Sequence, residues 1–180
     1  MMRVMGISGM PGSGKSIISE IATERGAMIV SMGDIIREEA KKRGETTKET
    51  AKNLREEFGQ YIVSELTIKK IKMLQDEGLE KSIMVEGIRS HHEVEMFKEN
   101  FDNFIILSIF ANPSLRFERL KKRMREDDST DYNVFKARDE MELEFGIGSV
   151  ISLSDKLIIN ESDLESCHEK INEYFDEIDL

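Results

Sequence analysis

The clearest chemistry in this sequence lies in eight residues near its start: Gly9, Met10, Pro11, Gly12, Ser13, Gly14, Lys15 and Ser16. They reproduce the Walker A spacing, Gly-x-x-x-x-Gly-Lys-Ser/Thr, in full. The glycines let the backbone curl until its N–H groups point inward at phosphate oxygens, and the helix N-terminus that follows adds partial positive charge. Lys15 reaches the β- and γ-phosphates, and the Ser16 hydroxyl ligates Mg²⁺. A buried strand before the pattern and a helix after it complete the context, which predicts binding of a nucleoside triphosphate.

What happens to the phosphate depends on the rest of the chain. A regulatory GTPase needs an Asp-x-x-Gly turn and an (Asn/Thr)-Lys-x-Asp stretch, and neither occurs. Two polar pairs sit where the apolar runs end. In "MGDIIRE", Asp34 and Arg37 share one face of a helix start, although Asp34 serves equally as an N-cap and Arg37 as a solvated helix residue. In "VEGIR", Glu86 directly follows Ile83-Met84-Val85, where a carboxylate is costly unless paired or metal-linked. Arg89, three residues on, is either a ligand contact or a surface ion pair. His91 and His92 are adjacent, point in different directions from a helix start, and read as solvent-exposed.

Residues 113–125 form a basic island. Arg116, Arg119, Lys121, Lys122, Arg123 and Arg125 stand against the single carboxylate of Glu118. Such a run is usually a solvated face. Arg116, Arg119 and Arg123, however, recur at helical spacing and share a side. Phosphoryl transfer is mostly positioning plus cationic stabilisation, so a patch of this kind suits it. The polar stretch 126–133 reads as the tip of a short lid, within a lid region of 119–138 that would exclude water on closing.

The elements that must position these groups alternate. Short apolar runs at 3–8, 27–32, 82–88, 104–111 and 155–160 read as strands. Amphipathic stretches at 16–26, 34–44, 113–127, 131–145 and 162–178 read as helices, and a long helical region over 46–77 bends or breaks near Gly59. The expected fold is α/β: a three-layer arrangement in which a five-stranded parallel sheet carries helices on both faces. Ligands in such folds gather beyond the C-terminal ends of the strands, where the polar residues above fall.

Composition narrows the function classes. The 180 residues are 39% hydrophobic and 34% charged, in the range of one globular domain. A net charge of −10 argues against a general nucleic-acid binder, which needs a basic footprint. The single cysteine, Cys167, excludes an internal disulfide and reads as a packing thiol. The apolar run at the start is too short for a signal peptide and none approaches about 18 residues, so the expected location is cytoplasmic.

With these residues in view, the chain resembles the nucleoside monophosphate kinases of the P-loop class, such as adenylate kinase. Gly33-Asp34-Ile35-Ile36-Arg37 reproduces that family's Gly-Asp-x-x-Arg, and the resemblance implies that Arg37 holds the acceptor phosphate with Asp34 near the metal or acceptor. Glu86-Gly87-Ile88-Arg89 is similar to the family's Asp-Gly-x-Pro-Arg, one residue shorter and without proline. It implies Glu86 in the Mg²⁺ shell and Arg89 on the acceptor. By the same resemblance Arg119 and Arg123, with Arg125 a further candidate, and Arg138 after the lid, stabilise the transferring phosphoryl group. Asn160 lies by the base of ATP or marks a strand-end turn. The segment 45–81 is the helical acceptor-binding insertion, in which Arg55 faces either the acceptor or solvent. Across the whole chain the blocks "GMPGSGKS", "MGDIIRE", "VEGIRS", "FKARDEMELEFGI" and "DKLIIN" resemble small archaeal P-loop proteins labelled dephospho-CoA kinase-related or adenylate kinase-related.

The resulting expectation is a Mg·ATP-dependent phosphotransferase acting on a nucleotide or nucleotide-like acceptor, with neither a membrane nor a nucleic acid as partner. No arginine follows Arg138, whereas the family places a second one after its lid. That departure keeps a partner-regulated ATP-binding or ATPase protein as the alternative.

Overall fold

In the computed structural model, residues 3–123 and 128–180 are described. The chain begins with β1 (Val4–Ser8), a phosphate-type loop and α1 (Lys15–Glu24), followed by β2 (Met28–Ser31), α2 (Met32–Arg43), α3 (Thr47–Phe58) and α4 (Ile62–Asp76). It continues through β3 (Ile83–Glu86), α5 (His91–Asn100), β4 (Ile105–Phe110) and α6 (Pro113–Arg123). The last elements are α7 (Tyr132–Phe145), α8 (Ile147–Ser152), β5 (Lys156–Ile159) and α9 (Leu164–Glu177).

The five strands form one parallel sheet in the order β2-β3-β1-β4-β5. β1 is buried along its length, as a central parallel strand must be when both faces are covered. Gly6 is required there: a Cβ would lie 2.4 Å from Ile106 Cδ1 and 2.8 Å from Ile88 Cδ1. One face packs Met5, Ile7, Leu107 and Ile109 against Ile18 and Ile21 of α1 and Ile171 and Phe175 of α9. The other packs Val85 and Ile106 against Ile71 of α4, Phe97 of α5 and Val150 of α8. Cys167 is fully buried in the first of these cores, and desolvation raises its thiol pKa.

Local details depart from the sequence expectations at Asp34 and in two added helices. β2 runs straight into α2, so the N-cap is Ser31 and Asp34 lies in the first turn; Asp34 is therefore not the cap. Two further helices, α5 and α8, cover the sheet where no helix or only a helix start was expected. The helical region over 46–77 does break at Gly59, whose φ of 103° favours glycine and whose N–H closes α3 on Arg55 O. The basic helix is described only to Arg123; Arg125 and part of the lid tip lie outside the described residues. No described helix is long and apolar enough to cross a membrane.

Candidate phosphate-transfer site

The loop between β1 and α1 is held by backbone-directed contacts from three elements. Lys15 Nζ donates to Gly9 O at 2.6 Å and to Met10 O at 3.2 Å, so the ammonium closes the loop that it would open to a phosphate. Asn160, just past β5 and 2% exposed, donates from Nδ2 to Ser13 O at 2.8 Å. Arg119 Nη2 donates to Asn160 O at 3.0 Å. Arg116 donates from Nη1 to Pro11 O at 3.1 Å. Gly14 sits at φ 110° with Asn160 Nδ2 only 2.4 Å from where a Cβ would be, so glycine is obligatory.

Around the loop lies a cleft of about 620 Å³ at the C-terminal edge of the sheet. Gly9, Pro11, Gly12, Gly14, Lys15 and Ser16 line it, with Glu86 and Arg89 from beyond β3, Arg119 and Arg123 of α6, Arg138 of α7 and Asn160. Met10 and Ser13 are buried inside the loop and do not form its wall. Asp34, Arg37 and Arg55 lie outside the cleft. Arg37 Nη2 pairs with Asp34 Oδ1 at 2.5 Å on an exposed surface, and Arg55 Nη1 donates to Ala51 O on its own helix at 2.9 Å. His91 and His92 are exposed, and the His92 ring centroid lies 4.0 Å from that of Tyr61.

The charges in the cleft are balanced by neighbours rather than by solvent. Glu86 accepts the Ser19 hydroxyl from the second turn of α1, in a very short hydrogen bond. Asp128, its side chain 2% exposed, takes Arg123 at 2.7 Å and Arg138 at 3.4 Å, joining α6 to α7 across the base of the expected lid. Burial pushes the Lys15 pKa down to about 8; Glu142 and Glu86 oppose that shift, while Arg89 and Arg138 add to it.

Two groups take roles that the sequence left unassigned. Arg116, which shares the helical spacing of Arg119 and Arg123, is 3% exposed. It forms a bidentate pair with Asp139 of α7 at 2.8 and 2.6 Å and lies 5.1 Å from the Phe135 ring centre. Proximity to the loop carbonyl of Pro11, not helical spacing, decides its direction. Glu142 of α7 lines the cleft and accepts Arg89 Nε at 3.0 Å, with 13% of its side chain exposed. Arg89 is itself fixed from behind: its N–H and that of Ser90 donate to Glu93, which caps α5. A charged position on a helix rich in glutamates gave no signal for Glu142.

Comparison with known proteins places this geometry. The model of an AAA domain matches residues 8–136. A UPF0200 protein of Methanothermobacter thermautotrophicus is 49% identical over 160 residues, covering 89% of this chain and 82% of the relative. One from Methanocaldococcus jannaschii is 44% identical over 98% of this chain and 91% of its own. Among solved structures, the shikimate kinase of Bacteroides thetaiotaomicron superposes with a TM-score of 0.64 at 14% identity over the whole of both chains. A sugar kinase of Janibacter sp. does so with 0.65 at 13% identity over 98% and 95%. At these identities the superpositions establish the fold, that of an α/β P-loop kinase.

Proposed function

The chain belongs to the UPF0200 family, and we propose from that premise that it is an ATP-dependent phosphotransferase that moves the γ-phosphoryl group of ATP to a small acceptor. The observation that carries the reading is the cleft itself. A rigid loop with an inward lysine faces Arg119, Arg123 and Arg138 from two further helices, all within one cavity. The loop amides and Lys15 hold the triphosphate, and the three arginines neutralise charge as the phosphoryl group leaves ADP. Asn160 keeps the loop and Arg119 in register, and the exposed Leu164 at the start of α9 offers an apolar wall for a base.

The residues also fit Mg²⁺. Ser16 lines the cleft on the first turn of α1 and Glu86 stands opposite, and hydroxyl and carboxylate oxygens are what this hard cation prefers. Among the described residues no group of three or more His, Cys, Asp or Glu is placed to hold a metal alone, so phosphate oxygens complete such a set. When bound with ATP, the ion supplies charge neutralisation. The segment 119–138 serves as the short lid region on the donor side, and 45–81 is the insertion beside the acceptor end, with Asp34, Arg37 and Arg55 outside the cleft. The protein acts free of a membrane, in the cytoplasm.

The test is mass identification of products from ATP, Mg²⁺ and individual acceptors. Transfer to one acceptor that disappears in Lys15→Ala supports the reading. ADP release that responds only to a protein or RNA replaces it with the partner-regulated ATPase.

A further inference from the structure

The cleft has two ends of opposite character. On the side of α6 and β5 it is cationic. On the other side, over the β1–β3 edge, it is walled by Ser8, Glu86, Ile88, Arg89, Glu142 and Ile147. The one arginine there is already engaged by a carboxylate, at 3.0 Å. Arg37 and Arg55, the other cations expected on an acceptor phosphate, stand outside, one paired with Asp34 and the other bonded to its own helix. A phosphate arriving beside Arg89 meets the Glu142 carboxylate and a guanidinium already paired with it, and like charge at short range is costly.

A neutral hydroxyl meets the reverse. Glu142 is mostly buried, is aimed by Arg89, and lines the same cleft as Lys15. Ser8 lines the same end, is 1% exposed, and its Oγ has no protein partner. Its neighbour across the sheet, Ser108, is orphaned likewise. Buried hydroxyls left unbonded are uncommon, and of the three among the described residues, Ser8, Ser13 and Ser108, Ser8 alone lines the cleft.

Resting on the phosphotransferase reading, we infer that the acceptor reacts through an alcohol rather than a phosphate, and that Glu142 is the catalytic residue that takes the alcohol's proton. The hydroxyl oxygen forms a bond to the γ-phosphorus while the bond from that phosphorus to the β,γ-bridging oxygen breaks and its electron pair leaves with ADP. The hydroxyl proton passes to a Glu142 carboxylate oxygen. The products are a phosphate monoester, ADP and a protonated Glu142. Arg89 is a positioning residue that directs the carboxylate.

The experiment offers γ-labelled ATP with two probe sets: alcohols (adenosine, shikimate, glucose, dephospho-coenzyme A) and phosphates (AMP, CMP, UMP). The label is sorted by hot acid, which spares a monoester and cleaves a phosphoanhydride. Wild type, Glu142→Gln and Glu142→Asp are compared, with ATP affinity and a thermal melt on each. The expected result is acid-stable label on an alcohol, with kcat about 10²–10⁴-fold lower in Glu142→Gln. ATP affinity stays within twofold and Glu142→Asp retains part of the rate. Acid-labile label on a monophosphate overturns the inference and leaves the phosphotransferase reading standing. Transfer to an alcohol that Glu142→Gln does not slow overturns the role of Glu142. No transfer to either set by protein that binds ATP removes the phosphotransferase reading and this inference with it.

Discussion

Replacing Arg116 with methionine tests the claim that one buried ion pair ties α6, α7 and the phosphate loop into a unit. Methionine keeps an unbranched stem and removes the guanidinium. Asp139, 13% exposed, then loses both charge-assisted hydrogen bonds, and Pro11 O and Ala111 O each lose a donor. Removing one partner of a buried pair costs about 3–5 kcal/mol, because the other charge is left uncompensated. Water reaches part of Asp139, which places the loss near about 3 kcal/mol. For a domain of this size that lowers Tm by roughly 6–12 °C. Arg116→Lys restores charge but not the two parallel bonds and recovers only part. The double variant Arg116→Met/Asp139→Leu removes the orphaned charge and returns most of the stability. Urea unfolding and calorimetry of these four proteins and of Asp139→Leu, which completes the cycle, read these values. A loss below about 1 kcal/mol in Arg116→Met, or simple additivity in the double variant, refutes the reasoning.

The depressed Lys15 pKa has two consequences of opposite sign. Without nucleotide, the unfolded chain holds a proton that the folded one has released between pH about 8 and 10.5, so Lys15 makes stability rise with pH across that window, which differs between wild type and Lys15→Met in melts. ATP phosphates restore the charge, so ATP binding above pH 8 takes up a proton and weakens up to tenfold per pH unit, read by calorimetry in buffers of different ionisation heat. Asn160→Ala leaves Ser13 O without its side-chain donor, costs about 1–3 kcal/mol of stability and weakens ATP binding through the loosened loop. Gly14→Ala drives a Cβ into Asn160 and abolishes ATP binding, which equilibrium dialysis measures directly.

The sequence was informative where structure is local. The loop, its flanking strand and helix, and the apolar runs of the sheet depend on neighbours a few residues away, and the break at Gly59 follows from one residue's freedom at positive φ. Asp34 was misplaced because no loop separates β2 from α2, and a capping residue is legible only when a loop precedes the helix. α8 is a single short stretch with too few turns to show a period. Arg116 and Glu142 each take their meaning from partners distant in the chain, Pro11 and Arg89. A charged residue on an amphipathic helix looks the same whether it faces water or the floor of a cleft.

The phosphotransferase reading is tested most directly by transfer of labelled phosphate from ATP to an identified small molecule, in wild type and in Lys15→Ala. The expected result is a phosphorylated product with wild type, about 10²–10³-fold less with Lys15→Ala, and a folded variant by its melt. ADP and inorganic phosphate alone, at a rate that no acceptor raises, would contradict it.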